Sequence, residues 1–132
     1  MIGQSNMITA ERALRAVWNG ARRSDRDALF APGFRFRNLG DSDDVTNLCG
    51  LRKRIAHLRA AHPGGHLNVE DVFGSGDHFV AWWAFGNDRR TEPAALRSRA
   101  STALLEGTCM LRLRSGQVVE MWELGGQLAE AS

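Results

Sequence analysis

The chain has 132 residues, of which 43% are hydrophobic and 24% charged. That is the size of one ordinary domain with one core, and the balance argues against a disordered tail. Net charge is +2, and no apolar run nears the ~20 residues of a membrane span, so neither a polyanion binder nor a membrane protein is indicated.

The first half reads helical. Thr9 is a candidate N-cap, and Leu14, Val17, Trp18 and Ala21 recur at the spacing of one helical face. Ser24 is placed to cap a short second helix, with Asp27 three residues on, and Pro32-Gly33 stops it. Phe34 to Asn38 then alternates at period two, a strand with Phe34, Phe36 and Asn38 on one side. Gly40 to Gly50 is a polar loop. Leu51, Ile55, Leu58 and His62 form the apolar face of a third helix, ended by Pro63-Gly64-Gly65.

The second half reads as sheet. His66 to Phe73 and His78 to Asn87 make a hairpin. A loop at Ser75-Gly76 would pair Val69 with Trp82 and Asp71 with Val80, and so turn Trp82 and Asp71 inward. Residues 88 to 101 form a charged connection with a helical turn at Pro93 to Leu96. The last hairpin joins Thr102–Arg114 to Gln117–Leu124. A three-residue loop, Arg114-Ser115-Gly116, pairs Leu111 with Val119, Cys109 with Met121 and Gly107 with Glu123, matching apolar with apolar. Glu123 then lies on the buried face, where Gly107 leaves room. Three helices against a bent antiparallel sheet make an α+β architecture, with the sheet curled into a cone around the N-terminal helices. A single domain over residues 1–132 is expected.

Composition narrows the chemistry. Two cysteines, Cys49 and Cys109, and four scattered histidines form no zinc spacing, so no metal and no cofactor are expected. The N-terminal segment MIGQSNMITAERAL has no basic stretch followed by an apolar one. The expected location is the cytoplasm, with both thiols free. Sixteen of the 17 basic residues are arginine, dispersed and interleaved with acids, so neither nucleic acid nor a membrane is an expected partner. Tyrosine is absent, which excludes any mechanism needing a phenol.

The helix order and the segments GLRKRIAHLRAAHP, VFGSGDHFVAWWAFGND and GTCMLRLRSGQVVEMWELGG resemble the SnoaL-like polyketide cyclases. These belong to the nuclear transport factor two-like superfamily, and the resemblance covers nearly the whole chain. It implies a cone-shaped α+β roll and a small-molecule enzyme. The carry-over of residues is partial. Met121 and Glu123 match the His-x-Asp of the cyclases, so the carboxylate is kept and the histidine lost. Cys109 falls where another histidine would stand. Phe36 and Asn38 match the Tyr-x-Asn of related epoxide hydrolases, while Ala84 and Gly86 stand in for their Arg-x-Asp. An isomerase tyrosine has no counterpart.

The candidate catalytic residues are therefore Glu123, Asn38 and Asp71. Glu123 would be an acid/base with its pKa raised by an apolar cone. The other possibility is a register off by one, with Glu123 on the surface. Asn38 would hold a substrate oxygen or water, or else tie its loop to backbone. Asp71 is a second acid/base or a solvated strand-end carboxylate. Trp82, Phe34, Phe36, Leu105, Cys109, Leu111 and Met121 would line the substrate cavity. Trp83 and Trp122 would face outward, under a second subunit of a homodimer. Asp88 is a candidate at the cavity mouth. The leading expectation is acid/base-assisted cyclisation or isomerisation of an apolar, oxygenated, polyketide-like molecule. A non-catalytic binding or dimerisation module, and water addition to an epoxide using Asp71, are the alternatives.

Overall fold

The structure, a computed structural model, describes residues 2–38, 45–87 and 103–124. The Pro93 to Leu96 turn and Asp88 lie outside the described residues. Three helices, α1 (Ile2–Asn19), α2 (Arg23–Leu29) and α3 (Leu48–Ala61), pack with six strands. The strands are β1 (Phe30–Asn38), β2 (Val45–Thr46), β3 (Gly65–Ser75), β4 (His78–Asn87), β5 (Ala103–Arg114) and β6 (Gln117–Leu124). They form one sheet in the order β2-β1-β6-β5-β4-β3. The result is an α+β cone. Its sheet is mixed rather than wholly antiparallel, because β1 runs parallel to β6.

α1 begins seven residues before the expected cap, so Thr9 sits inside it. Tertiary contacts account for the extension. The Asn6 amide donates to the Gly76 carbonyl at 2.8 Å, and Met7 packs on the core. Ala10, Ala13, Leu14, Val17 and Trp18 are buried along the inner stripe. At the other end the Asn19 side chain clamps β3. It accepts from the Leu67 N–H at 2.8 Å and donates to the Leu67 carbonyl at 3.1 Å. Gly20, at φ +92°, then turns the chain out of the helix.

α2 starts without a side-chain cap from Arg22, and Ser24 lies within it. It ends at Leu29, before Pro32-Gly33, which instead falls inside β1 where the register with β6 shifts. A strand tolerates proline at such an irregularity, because no ladder hydrogen bond is demanded of it there. Part of the expected polar loop is β2, paired with Phe36 and Arg37. Asn47 caps α3 by accepting from the Gly50 N–H at 2.9 Å, and Leu51, Ile55 and Leu58 are its buried face.

Both hairpin registers differ from the sequence expectation. The β3–β4 turn is Gly76-Asp77, closed by Ser75 opposite His78, and Glu70 is an extra residue between Val69 and Asp71. Val69 therefore pairs with Trp83, and Asp71 pairs with Trp82. Trp83 is fully buried, whereas Trp82 is 50% exposed and Asp71 is exposed. The expected inward placement of Trp82 and Asp71, and the outward placement of Trp83, are thus reversed. A bulge adds one residue to one strand and exchanges the two faces beyond it.

The β5–β6 turn has two residues, Ser115 at φ +53° and Gly116 at φ +77°, the pattern of a tight hairpin. A bulge at Val119 follows, so that Leu111 pairs with Met121 and Cys109 with Glu123. The expected partners are displaced by two residues. Two is even, so Glu123 and Met121 are on the inner face all the same.

Candidate active site

The inner face of the sheet is almost wholly apolar. Asn38 and Glu123, each 2% exposed, are the buried polar side chains among the described residues. The parallel register of β1 and β6 sets them side by side. Cys109 on β5 stands opposite Glu123, and Gly107 on the same strand pairs with Trp83 on β4. Phe36, Met121 and Leu111 occupy the neighbouring row. From above, Trp18 of α1 packs at a 40° tilt against Trp83, with ring centroids 4.9 Å apart, and against Phe85 at 5.3 Å.

Gly107 is what lets this cluster close. A Cβ there would lie 2.4 Å from Trp83 Cζ2 and 2.5 Å from Glu123 Oε1. Any side chain at 107 would thus displace the indole or the carboxyl group.

Two polar atoms in the cluster lack partners. Trp83 Nε1 and Glu123 Oε1 are both buried and neither makes a hydrogen bond. The indole N–H is near enough to temper the charge of Glu123, yet the pair falls short of hydrogen-bond geometry. Among the described residues no arginine or lysine forms an ion pair with Glu123. Loss of hydration therefore dominates and pushes its pKa up to about 8. At pH 7 the acid form outnumbers the carboxylate about tenfold. Such a group can donate a proton to a developing oxyanion and afterwards take one back.

Cys109 behaves differently. Burial first, and then the charge of Glu123, push its thiol well above the ordinary range. It is no thiolate nucleophile; it is a small apolar neighbour.

The remaining sequence candidates fall into three groups. Phe36, Cys109, Leu111 and Met121 join Glu123 and Asn38. Phe34 is buried but meets Phe30 edge-on at 5.0 Å, and Leu105 is half-buried against the core. Trp82 and Asp71 lie on the opposite face. Asp71 is thus not within reach of Glu123, and the epoxide reading that needed this second carboxylate loses it. Three of the four histidines are at element ends, and His57 lies within α3. His78 meets Asp77 at 2.6 Å, His66 Nε2 lies 3.5 Å from the Asn19 amide, and His62 follows α3. Sequence reasoning missed Trp83 as a site residue and Trp18 as its support. The extra residue Glu70, which exchanged the two faces, carries no local signal in the sequence.

The family model for SnoaL-like polyketide cyclases matches residues 8–130. The chain belongs to that family. Solved structures agree on the fold. A proposed SnoaL-like polyketide cyclase from Jannaschia sp. CCS1 is 22% identical over 98% of this chain and 90% of its own, with a TM-score of 0.64. IdmH, a proposed polyketide cyclase from Streptomyces antibioticus, is 17% identical over 96% of each chain, at 0.62. AclR of Streptomyces galilaeus, described as a proposed hydroxylase, is 14% identical over 96% of this chain and 78% of its own, at 0.64. No curated protein matches the sequence. Among the described residues no helix is long and apolar enough to cross a membrane.

Proposed function

We propose that this chain is an enzyme that uses a buried acid to close or isomerise an apolar, oxygenated, polyketide-like substrate. The observation that carries the reading is the desolvated Glu123, whose Oε1 has no hydrogen-bond partner, beside Asn38 on an otherwise apolar face. A substrate carbonyl oxygen would accept a hydrogen bond from the protonated Glu123, with the Asn38 amide holding a second oxygen. When an enol carbon of the same substrate attacks that carbonyl carbon, a C–C bond forms and the C=O π pair moves to oxygen. Glu123 gives that oxygen its proton, and the resulting carboxylate takes the enol O–H proton. The cycle leaves the acid as it began. The apolar walls fold the chain of the substrate and exclude water, which supplies the remaining acceleration.

The test uses a panel of poly-β-ketone esters as substrates. Glu123→Gln should lower turnover by ~100-fold or more, and wild-type turnover should decline as pH rises through about 8, where the acid form is lost. Turnover that survives in Glu123→Gln removes this residue from the role.

The second reading, a dimerisation module, has its own observation. Phe73 and Trp82 are 55% and 50% exposed on neighbouring strands of the outer face, next to Val80. We infer that a second copy of the chain covers them, because apolar area of this kind is costly to leave in water. Sedimentation of wild type and of Trp82→Asp would read this out, and a monomeric wild type would refute it. Dimerisation is compatible with catalysis on the inner face.

A further inference from the structure

The outer face of the sheet holds a second feature, which the proton-transfer reading does not use. At its β1–β6–β5 end is a groove of about 430 Å³ lined by Arg35, Arg37, Arg112, Arg114, Glu120 and Gly33, among others. Arg35 and Arg37 come from β1, Arg112 and Arg114 from β5, and Glu120 from the strand between them. Arg35 and Arg112 are the register partners of Glu120 on its two sides.

Charge in the groove is unbalanced. Glu120 accepts a hydrogen bond from Arg112, and its other oxygen stands 3.6 Å from Arg37 Nε. Arg35 and Arg114 are exposed and have no carboxylate partner among the described residues. Among the described residues, four guanidinium groups against one carboxylate leave three positive charges uncompensated. The groove is also open: a Cβ built on Gly33 would meet nothing within 4 Å. Neighbouring strands lie about 4.8 Å apart, so the two arginine pairs flank a gap of roughly 10 Å at the backbone. Long guanidinium arms can converge across that gap on one ligand.

We propose that this groove binds a diphosphate group. Guanidinium presents paired N–H donors that match phosphate oxygens two at a time. One phosphate monoester carries about −1.5 to −2 and leaves the groove under-neutralised, whereas a diphosphate brings it near balance. Glu120 has a definite part: it holds Arg112 and Arg37 in place, while Arg35 and Arg114 make the new contacts. The groove spans β1, β6 and β5, whereas the exposed Phe73 and Trp82 belong to β3 and β4. The assignment is independent of the chemistry at Glu123.

Isothermal titration of the full chain with sodium pyrophosphate and with inorganic phosphate, at low and at moderate ionic strength, tests it. Pyrophosphate should bind saturably and at least about tenfold more tightly than phosphate, weakening with salt. The double variant Arg35→Gln/Arg114→Gln should lose at least about tenfold in pyrophosphate affinity. Both side chains are exposed, so the fold is not at risk. The control is Arg52→Gln/Arg59→Gln, from the smaller hollow of about 130 Å³ between α1 and α3. It should bind as wild type does. Absence of saturable binding at millimolar pyrophosphate overturns the proposal. So does equal loss in both double variants, which would mean that net charge alone attracts the anion.

Discussion

Glu120 and Glu123 are three residues apart on one strand and experience opposite surroundings. Glu120 points outward between two arginines. Its hydrogen bond with Arg112 is the main influence, and it holds the carboxyl below its usual range. Glu123 points inward to tryptophan, thiol and glycine, and loss of water raises it to about 8. At neutral pH the same functional group is thus an anion on one face and mainly a neutral acid on the other. Identity sets what a side chain can do; the face of the sheet sets which form is present.

The difference is sharpest in stability against pH. Between pH about 4.5 and 8 the unfolded chain has released the Glu123 proton that the folded chain still holds. Stability should therefore be full below about pH 4.5 and fall as pH rises, by about 1.4 kcal/mol per unit and of order 5 kcal/mol in all. Urea unfolding from pH 5 to 9 should show this decline in wild type and a nearly flat profile in Glu123→Gln. A decline of the same size in the variant would place its origin elsewhere.

Crowding the inner site should break the contrast by a smaller amount. In Gly107→Ala the new methyl group meets Trp83 and Glu123 at well under contact distance. The expected loss is about 1–3 kcal/mol, the range of overpacked cores. A shift in Trp fluorescence should accompany it, since the Trp83 ring is displaced. Thermal unfolding with an unchanged midpoint would show that the cluster yields freely.

The outer carboxylate should matter least. Glu120→Gln removes a half-exposed ion pair worth under about 1 kcal/mol, and salt should weaken the effect further. Its pH dependence has the opposite sign. The lowered pKa means that Glu120 contributes above about pH 4.5 and loses its contribution as pH falls through the folded value. Denaturation of wild type and Glu120→Gln at pH 7 and pH 3 should therefore differ more at pH 7.

The limits of a sequence reading show in the two hairpins. The bounds expected for β4 and β6, His78–Asn87 and Gln117–Leu124, are those observed. Period-two alternation is a local signal, and each strand carries it in its own residues. Register is not local. In β5–β6 the loop is one residue shorter than expected, and the bulge at Val119 shifts the pairing by one more. The two single shifts add to an even displacement of two, so Glu123 and Met121 kept their face. In β3–β4 the turn moved by an even amount, and the single extra residue Glu70 then exchanged the faces. That one residue took Trp82 and Asp71 out of the site and left Trp83 within it.

The start of α1 failed for a related reason. Thr9 is a good cap by its chemistry, but Asn6 and Met7 find partners in the β3–β4 turn and the core, and the helix runs on to meet them. A cap preference of about 1 kcal/mol yields to contacts made by a different part of the chain.

By itself, then, the amino-acid order determined the kinds of element, most of their bounds, the family and the presence of one carboxyl group among apolar neighbours. The elements and the apolar setting of the carboxyl group follow from spacing along the chain, and the family from the resemblance of whole segments. Tertiary structure decided which tryptophan faces that carboxyl group, that Asn38 stands beside it, and that four arginines from two separated strands share a groove. These depend on bulges and on parallel pairing of β1 with β6. Their energies come from packing one strand against another, so no single segment encodes them.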